Sequence, residues 1–351
     1  MANIAQALRL ALHVGETRLG VTEIFGEDVG PPLGGVFTAT QGLKTAWNSP
    51  LDERGIIGTA TGLALAGVRC VAEIQFCDYI FNTIDLLKLA GNARWSSAGQ
   101  FNLPMVVMTP AGSGIHGSVY HSHSFDAVMT HLPGWKIVLP STPLDCYGMM
   151  ISAIKDPNPV MFLYPKALIR IQGQEKIPGE PASSRELSKM IDAPVGDRTD
   201  WEPKWPELPD FEIPLGQAKV LREGTDVTIA TYGRLAPVSL AAAEACAQDG
   251  ISAEVIDLRS LWPYDWDALA SSVKKTRRFL QVNEDTEITN FGEHLVRRVA
   301  SELFYELEAP PKMLAGKATP GIGLAWPLER ASVPQQEDVE REIRALAETY
   351  A

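Results

Sequence analysis

Hydrophobic and polar positions along the first half of the chain alternate between two kinds of segment. Residues 69–76, RCVAEIQF, read as a strand by their length and β-branched content, and place Gln75 at its C-terminal end. Residues 103–109, LPMVVMT, form a near-continuous apolar run of the sort covered on both faces, residues 136–139 repeat it, and PVMFLYPK (159–166) closes the series. Helical patterns at 78–94 and 142–155 lie between them. Ahead of them, residues 1–20 read as an amphipathic helix, VTEIFGEDVG (21–30) as a short strand ending in a polar loop, and GGVFTATQGLKTAW (34–47) as a loop passing into a helix. Such alternation predicts an α/β fold built on a parallel, doubly wound sheet, with ligand-facing groups at the C-terminal ends of the strands.

The stretch that organises this half is SPLDERGIIGTATGLALAG (49–67). No charged residue occurs from Gly55 to Gly67, and Gly58, Gly62, Ala64 and Ala66 are small enough to let a helix lie close to another backbone, so a buried helix is expected. Asp52, Glu53 and Arg54 stand just before it. A carboxylate at a helix N-terminus beside an apolar wall feels dipole and desolvation in opposite senses, and can trade protons near neutral pH. From this segment alone the readier reading is that Asp52 or Glu53 is a solvated first-turn acid.

Residues 172–210 break the alternation with many prolines, repeated polar residues, Trp201 and Trp205, and read as an irregular linker or arm. A second α/β unit follows: TDVTIATYG (225–233) and SAEVIDLRSL (252–261) as strands around a helix stopped by Gly250, then a helix at 265–275. After it come the strand RRFLQVNE, a helix at 290–308, the short strand PPKMLAG and a terminal helix at 335–350. The expected domains are therefore 1–171, 172–210 as the linker, and a smaller 211–351.

Composition narrows the function. The chain has 351 residues, 45% hydrophobic and 21% charged, which is ample for two cores. A net charge of -12 without any Lys/Arg cluster argues against nucleic acid as a partner. Cys70, Cys77, Cys146 and Cys246 show no CxxC spacing, which fits buried thiols in a reducing compartment. No run approaches the ~18 apolar residues of a membrane span, and the N-terminus lacks a signal-peptide pattern, so a cytoplasmic protein with no membrane partner is expected.

The G-x-G-x-x-G of AGSGIHGSVYHSHS (Gly112, Gly114, Gly117) follows a strand, but no acid ends the next strand to hold a ribose. The glycines read instead as shaping a loop that exposes His116, His121, His123 and His131, whose spacing matches no common zinc pattern. These histidines are readable either as proton-transfer groups on an active-site rim or as structural groups bonded to backbone. P-loop, nucleophile elbow and a GDG magnesium-diphosphate motif are all missing, so a cofactor enzyme built on this chain would carry only part of its site. Nothing in the second unit looks chemical; Asp257 and Arg259 read as sheet-end or dimer contacts.

Taken in order, GEDVG…GGVF, SPLDERGIIG, VAEIQFCDYIF, GQFN, YHSHS, PGWKIVLPSTP, DPNPVMFLYPK and AEVIDLRSLWPYD resemble the beta subunits of thiamine-diphosphate-dependent 2-oxo acid dehydrogenases, with VAEIQFCDYIF leaning towards the branched-chain (2-oxoisovalerate) members over the pyruvate members. The likeness covers nearly all of the chain except about residues 172–210. It implies a transketolase-like pyrimidine-binding domain followed by a transketolase C-terminal-like domain. It also implies an alpha subunit that completes an alpha2-beta2 heterotetramer and supplies the magnesium-diphosphate clamp, and a lipoyl-bearing acyltransferase core as acceptor.

By the same resemblance, Glu53 hydrogen-bonds the cofactor's aminopyrimidine ring and favours the tautomer that takes the thiazolium proton. Leu51 and Tyr79 match positions contacting the pyrimidine, Gln75 one beside it, and His121 the histidine serving acyl transfer to the lipoyl arm. Asp156 and Asn158 match positions that help hold a structural potassium ion. The chain departs from the family at His123, where Gln is usual, at Phe125 and Asp126, where Pro-Glu is usual, and in the C-terminal ATPGIGLAWPLERASVP. The nearest alternative is the beta subunit of a pyruvate or acetoin dehydrogenase, and a non-catalytic assembly or regulatory paralogue with the same fold is the alternative of another class.

Overall fold

The computed structural model describes residues 1–198 and 200–348. In chain order the first half contains α1 (Ile4–Arg18), β1 (Val21–Gly26), β2 (Ala46–Asn48), α2 (Glu53–Leu65), β3 (Arg69–Glu73), α3 (Ile84–Ser96), β4 (Met105–Ala111), α4 (Asp126–Thr130), β5 (Lys136–Val138), α5 (Pro143–Lys155) and β6 (Val160–Pro165). Then come α6 (Ser184–Ile191), β7 (Lys219–Arg222), β8 (Val227–Thr231), α7 (Leu235–Ala247), β9 (Ala253–Asp257), β10 (Ser260–Trp262) and α8 (Trp266–Thr276). The chain ends through β11 (Phe279–Thr286), α9 (Phe291–Glu302), β12 (Lys312–Gly316), α10 (Trp326–Ser332) and α11 (Gln336–Glu348).

Two compact units are formed: residues 1–110, 132–164 and 168–215, and residues 111–131, 165–167 and 216–351. Six strands of the first unit lie in the order β5-β6-β4-β3-β1-β2, and the pairs β1–β2, β1–β3, β3–β4 and β5–β6 are parallel. Because β1 has β3 on one side and β2 on the other, strand order reverses at β1, and its carboxyl end is a switch point where open α/β sheets hold ligands. The second unit's sheet runs β12-β11-β8-β9-β7, parallel apart from the antiparallel β7–β9 edge. Its core is Val227, Ile229, Val255, Leu280 and Val282 under α7 and α11.

Helix α1 differs from its amphipathic expectation. Its N-terminus is closed by an Asn3–Gln6 capping box, and from Ile4 to Leu12 every side chain is buried, Gln6 and Arg9 included. It packs on α5, and the segment read as an irregular arm covers the remaining face. That segment carries α6, and Arg9 Nη1 donates to Ile191 O (2.6 Å) and to Asp192 Oδ1 (2.9 Å), while Nε and Nη2 donate to Thr38 O. Trp205 stacks on His13 at 4.0 Å between ring centroids. Residues 172–210 thus belong to the first unit's packing.

Two further expectations change. Residues 34–47 form no helix; Gly34, Gly35 and Gly42 take left-handed φ values and the chain turns before entering β2. Helix α2 is buried on one face only, through Ile56, Ile57, Ala60, Thr61 and Ala64, whereas a Cβ at Gly58 or Gly62 would meet nothing within 4 Å. Among the described residues no helix is long and apolar enough to cross a membrane.

Candidate active site

Glu53 is the first residue of α2, preceded by Asp52 at the N-cap, whose side chain makes no capping bond. Asn82, on the 3-10 turn Cys77–Thr83, donates to Glu53 Oε2 at 3.3 Å, and Arg54 is held away by a two-point ion pair with Asp85. Tyr79 stands on the same turn, half-buried, its ring edge-on to Phe76, which in turn packs edge-on to Phe37. Burial, then the charges of Asp78, Glu27 and Glu53, push the Tyr79 phenol above its usual range. Gln75 follows the end of β3, with its amide donating to Asp28 Oδ2 at 3.0 Å. Leu51 is 82% exposed beside Glu53.

The structure adds an acid that the residue patterns did not single out. Glu27 leaves the end of β1 buried, and its Oε1 has no hydrogen-bond partner among the described residues. Burial, followed by the charges of Glu53, Asp28 and Asp52, raises its pKa. The preceding residue packs tightly as well: a Cβ on Gly26 would lie 2.3 Å from the Glu73 carbonyl. Glu53, Glu27, Gln75 and Tyr79 are thereby gathered at the carboxyl ends of β1 and β3. An unmatched buried carboxyl oxygen, a surface acid at a helix N-terminus and exposed apolar groups suit a flat, basic nitrogen ring, so these residues fit the aminopyrimidine of thiamine diphosphate.

His121 lies in the second unit, on the glycine loop that follows β4. Its Nδ1 is 3.2 Å from Gly117 O, an acceptor only, so Nδ1 is assigned the proton of that contact. His116 is half-exposed, His123 is exposed, and His131 lies at the end of α4 with Nδ1 2.8 Å from Ala127 O. The four histidines do not converge, and among the described residues no group of three or more His, Cys, Asp or Glu could hold a metal. Behind the loop, Asp126 accepts from Tyr232 (2.7 Å) and lies against Asp285; burial and the second carboxylate push its pKa well up.

At the end of α5, Asp156 Oδ1 accepts from the backbone and side-chain nitrogens of Asn158 (2.9 and 3.0 Å), and Oδ2 is ion-paired with Lys136. A lysine ammonium thus meets the carboxylate's charge on that side.

Residues 2–172 match the family described as the transketolase pyrimidine binding domain, and residues 216–339 the transketolase C-terminal domain. The chain is 38% identical over 324 residues to the 2-oxoisovalerate dehydrogenase subunit beta of Pseudomonas aeruginosa, covering 90% of this chain and 87% of that one. It is 35% identical to the Bacillus subtilis protein of the same name, covering 97% of each. To the pyruvate dehydrogenase E1 component subunit beta of Bacillus subtilis it is 36% identical, covering 98% and 97%. A solved split-gene transketolase, described as an inactive beta4 tetramer, superposes over the full length of both chains with a TM-score of 0.70 at 18% identity, a likeness of fold. The chain belongs to the family of beta subunits of thiamine-diphosphate-dependent 2-oxo acid dehydrogenases.

Proposed function

We propose that the chain pairs with an alpha subunit in an alpha2-beta2 heterotetramer that oxidatively decarboxylates a branched-chain 2-oxo acid, 2-oxoisovalerate first, and passes the acyl group to lipoamide on an acyltransferase core. The observation that carries the substrate is the near-full-length identity to two subunits named for 2-oxoisovalerate. Thiamine diphosphate, when bound, supplies the electron sink that lets the 2-oxo acid lose carbon dioxide. Magnesium and the diphosphate would be held mainly by the alpha chain.

In this reading Leu51 and Tyr79 offer apolar contact to the pyrimidine, Gln75 lies at its edge, and Glu53 binds a ring nitrogen. Glu27, buried beside Glu53 and held above its usual pKa by burial and by the charges of Glu53, Asp28 and Asp52, offers a second carboxyl group facing the same ring. His121 handles the proton exchanged as the acyl group moves to lipoyl sulfur. The open glycine face of α2, together with exposed Leu89, Trp95 and Phe101, offers the apolar surface a partner subunit needs.

The test is thiamine-diphosphate-dependent decarboxylation by the chain co-expressed with its alpha partner, with each chain alone as control. Activity only in the mixture and highest with 2-oxoisovalerate is expected. Pyruvate as the better substrate would keep the mechanism and move the chain to the pyruvate branch, whose relative is 36% identical. Glu53→Gln in the assembled enzyme should lower decarboxylation by about 10²- to 10⁴-fold, the usual contribution of a proton-transfer group. A variant with full activity would reject Glu53, and an inert wild-type complex would favour a non-catalytic paralogue.

A further inference from the structure

The loop that carries His121 holds an unfavourable backbone. Gly112 and Gly114 have φ of 83° and 100°, and His116 and Ser118, which are not glycine, have 56° and 61°. Non-glycine residues in that region cost on the order of 1 kcal/mol each and persist only where surroundings hold them.

Two carboxylates from distant parts of the second unit do the holding. Glu284 Oε2, on β11, accepts from the Ser113 backbone (3.0 Å) and hydroxyl (2.8 Å), with Arg234 3.6 Å from the same oxygen. Glu329, on α10, is 2% exposed. Its Oε1 accepts from Gly114 N at 2.5 Å, and its Oε2, otherwise without a donor among the described residues, stands 2.7 Å from His116 Nδ1. The His116 ring is further set edge-on against Trp326, one helical turn from Glu329.

The next residue after His116 is Gly117, whose carbonyl holds His121 Nδ1 and whose added Cβ would lie 2.5 Å from the His121 Cβ. A buried carboxylate, a histidine, a carbonyl and the His121 ring thus follow one another with no slack between them. We infer that Glu329, acting through His116, is a positioning residue for acyl transfer: it fixes the loop whose Gly117 carbonyl sets the tautomer and direction of His121. This rests on His121 being the acyl-transfer histidine.

Each half of the reaction can be read separately in the assembled heterotetramer: decarboxylation of 2-oxoisovalerate with an artificial electron-accepting dye, and reductive acylation of a free lipoyl domain. Glu329→Gln keeps an acceptor for Gly114 N but loses the charge facing His116. It should lower kcat for lipoyl-domain acylation by about 10- to 100-fold, the scale of an ångström-level misplacement, and leave dye-linked decarboxylation and its KM unchanged. His116→Ala should show the same split. His116→Asn, which tolerates left-handed φ and retains an N–H donor, should recover most of the acylation, which a chemical role for the imidazole would not allow.

Unchanged acylation in Glu329→Gln, an equal loss in both half-reactions, or His116→Asn as impaired as His116→Ala would each overturn the assignment. Should Glu329→Gln fail to assemble, the two His116 variants decide it. A His121→Ala control separates the premise: if that variant acylates normally, the role of His121 fails; if it does not and Glu329→Gln does, the positioning role fails.

Discussion

Glu73 ends β3 with its side chain 2% exposed under the turn at Gly35, and its carboxyl is approached by the Tyr164 hydroxyl from β6 at 3.5 Å. Burial pushes its pKa from the usual 4.5 up to about 8, with the tyrosine pulling weakly the other way. Between those two values the folded chain holds a proton that the unfolded chain has released. Stability therefore falls as pH rises, by about 1.4 kcal/mol per pH unit, and the loss is complete once pH passes the folded value. Over that window the ceiling is about 5 kcal/mol. Glu73→Gln keeps the volume and an acceptor for Tyr164 and has no proton to lose. In urea unfolding followed by tryptophan fluorescence, variant and wild type should match at about pH 4, below the unfolded value of 4.5, where the wild type's contribution is fully present. The variant should lead by about 3–5 kcal/mol at pH 8.5. A difference that stays constant from pH 5 to 8.5, or a wild type that gains on the variant as pH rises, would refute the assignment of a buried neutral acid.

Gly58→Leu points a side chain into open space on α2, so the isolated chain should fold with helix propensity improved by up to about 1 kcal/mol; if this face is covered by a subunit, heterotetramer assembly should weaken by tenfold or more in sedimentation or size-exclusion titration. Arg9→Met removes a buried guanidinium that serves Thr38 O, Ile191 O and Asp192, and should cost about 3–5 kcal/mol in urea unfolding of the chain. A loss within 0.5 kcal/mol would show those acceptors to be satisfied by water.

Local pattern was enough for most of the strands and for Glu53. RCVAEIQF shows itself by length and β-branched content and LPMVVMT by its near-continuous apolar run, buried at every strand position, and an acid ahead of a charge-free helical run has one natural place, the helix N-terminus. Failures came where distant backbone decides. Glu27 looked like one more acid in a polar loop, since nothing in GEDVG reports that it is buried at the end of β1. Helix α1 reads as amphipathic because the acceptors that bury Arg9 lie at residues 191 and 192, in a proline-rich stretch that resembles a linker. Residues 34–47 carry helix-compatible residues after a glycine pair, yet Gly42 in a left-handed turn, packed against Pro203, stops any helix. Glu329 sits in the C-terminal stretch that departs from the family pattern, and its role is visible only through the loop it grips.

The clamp between Arg9 and Asp192 also fixes an order in time. The guanidinium is synthesised 183 residues before its carboxylate, so at about 5–20 residues per second roughly ten to forty seconds separate their appearance. Until α6 has left the ribosome, α1 has a charge to bury and no counter-charge to bury it against, and the first unit has reason to stay open. The stretch that looked like a spacer is thus the piece whose arrival permits the N-terminal helix to settle.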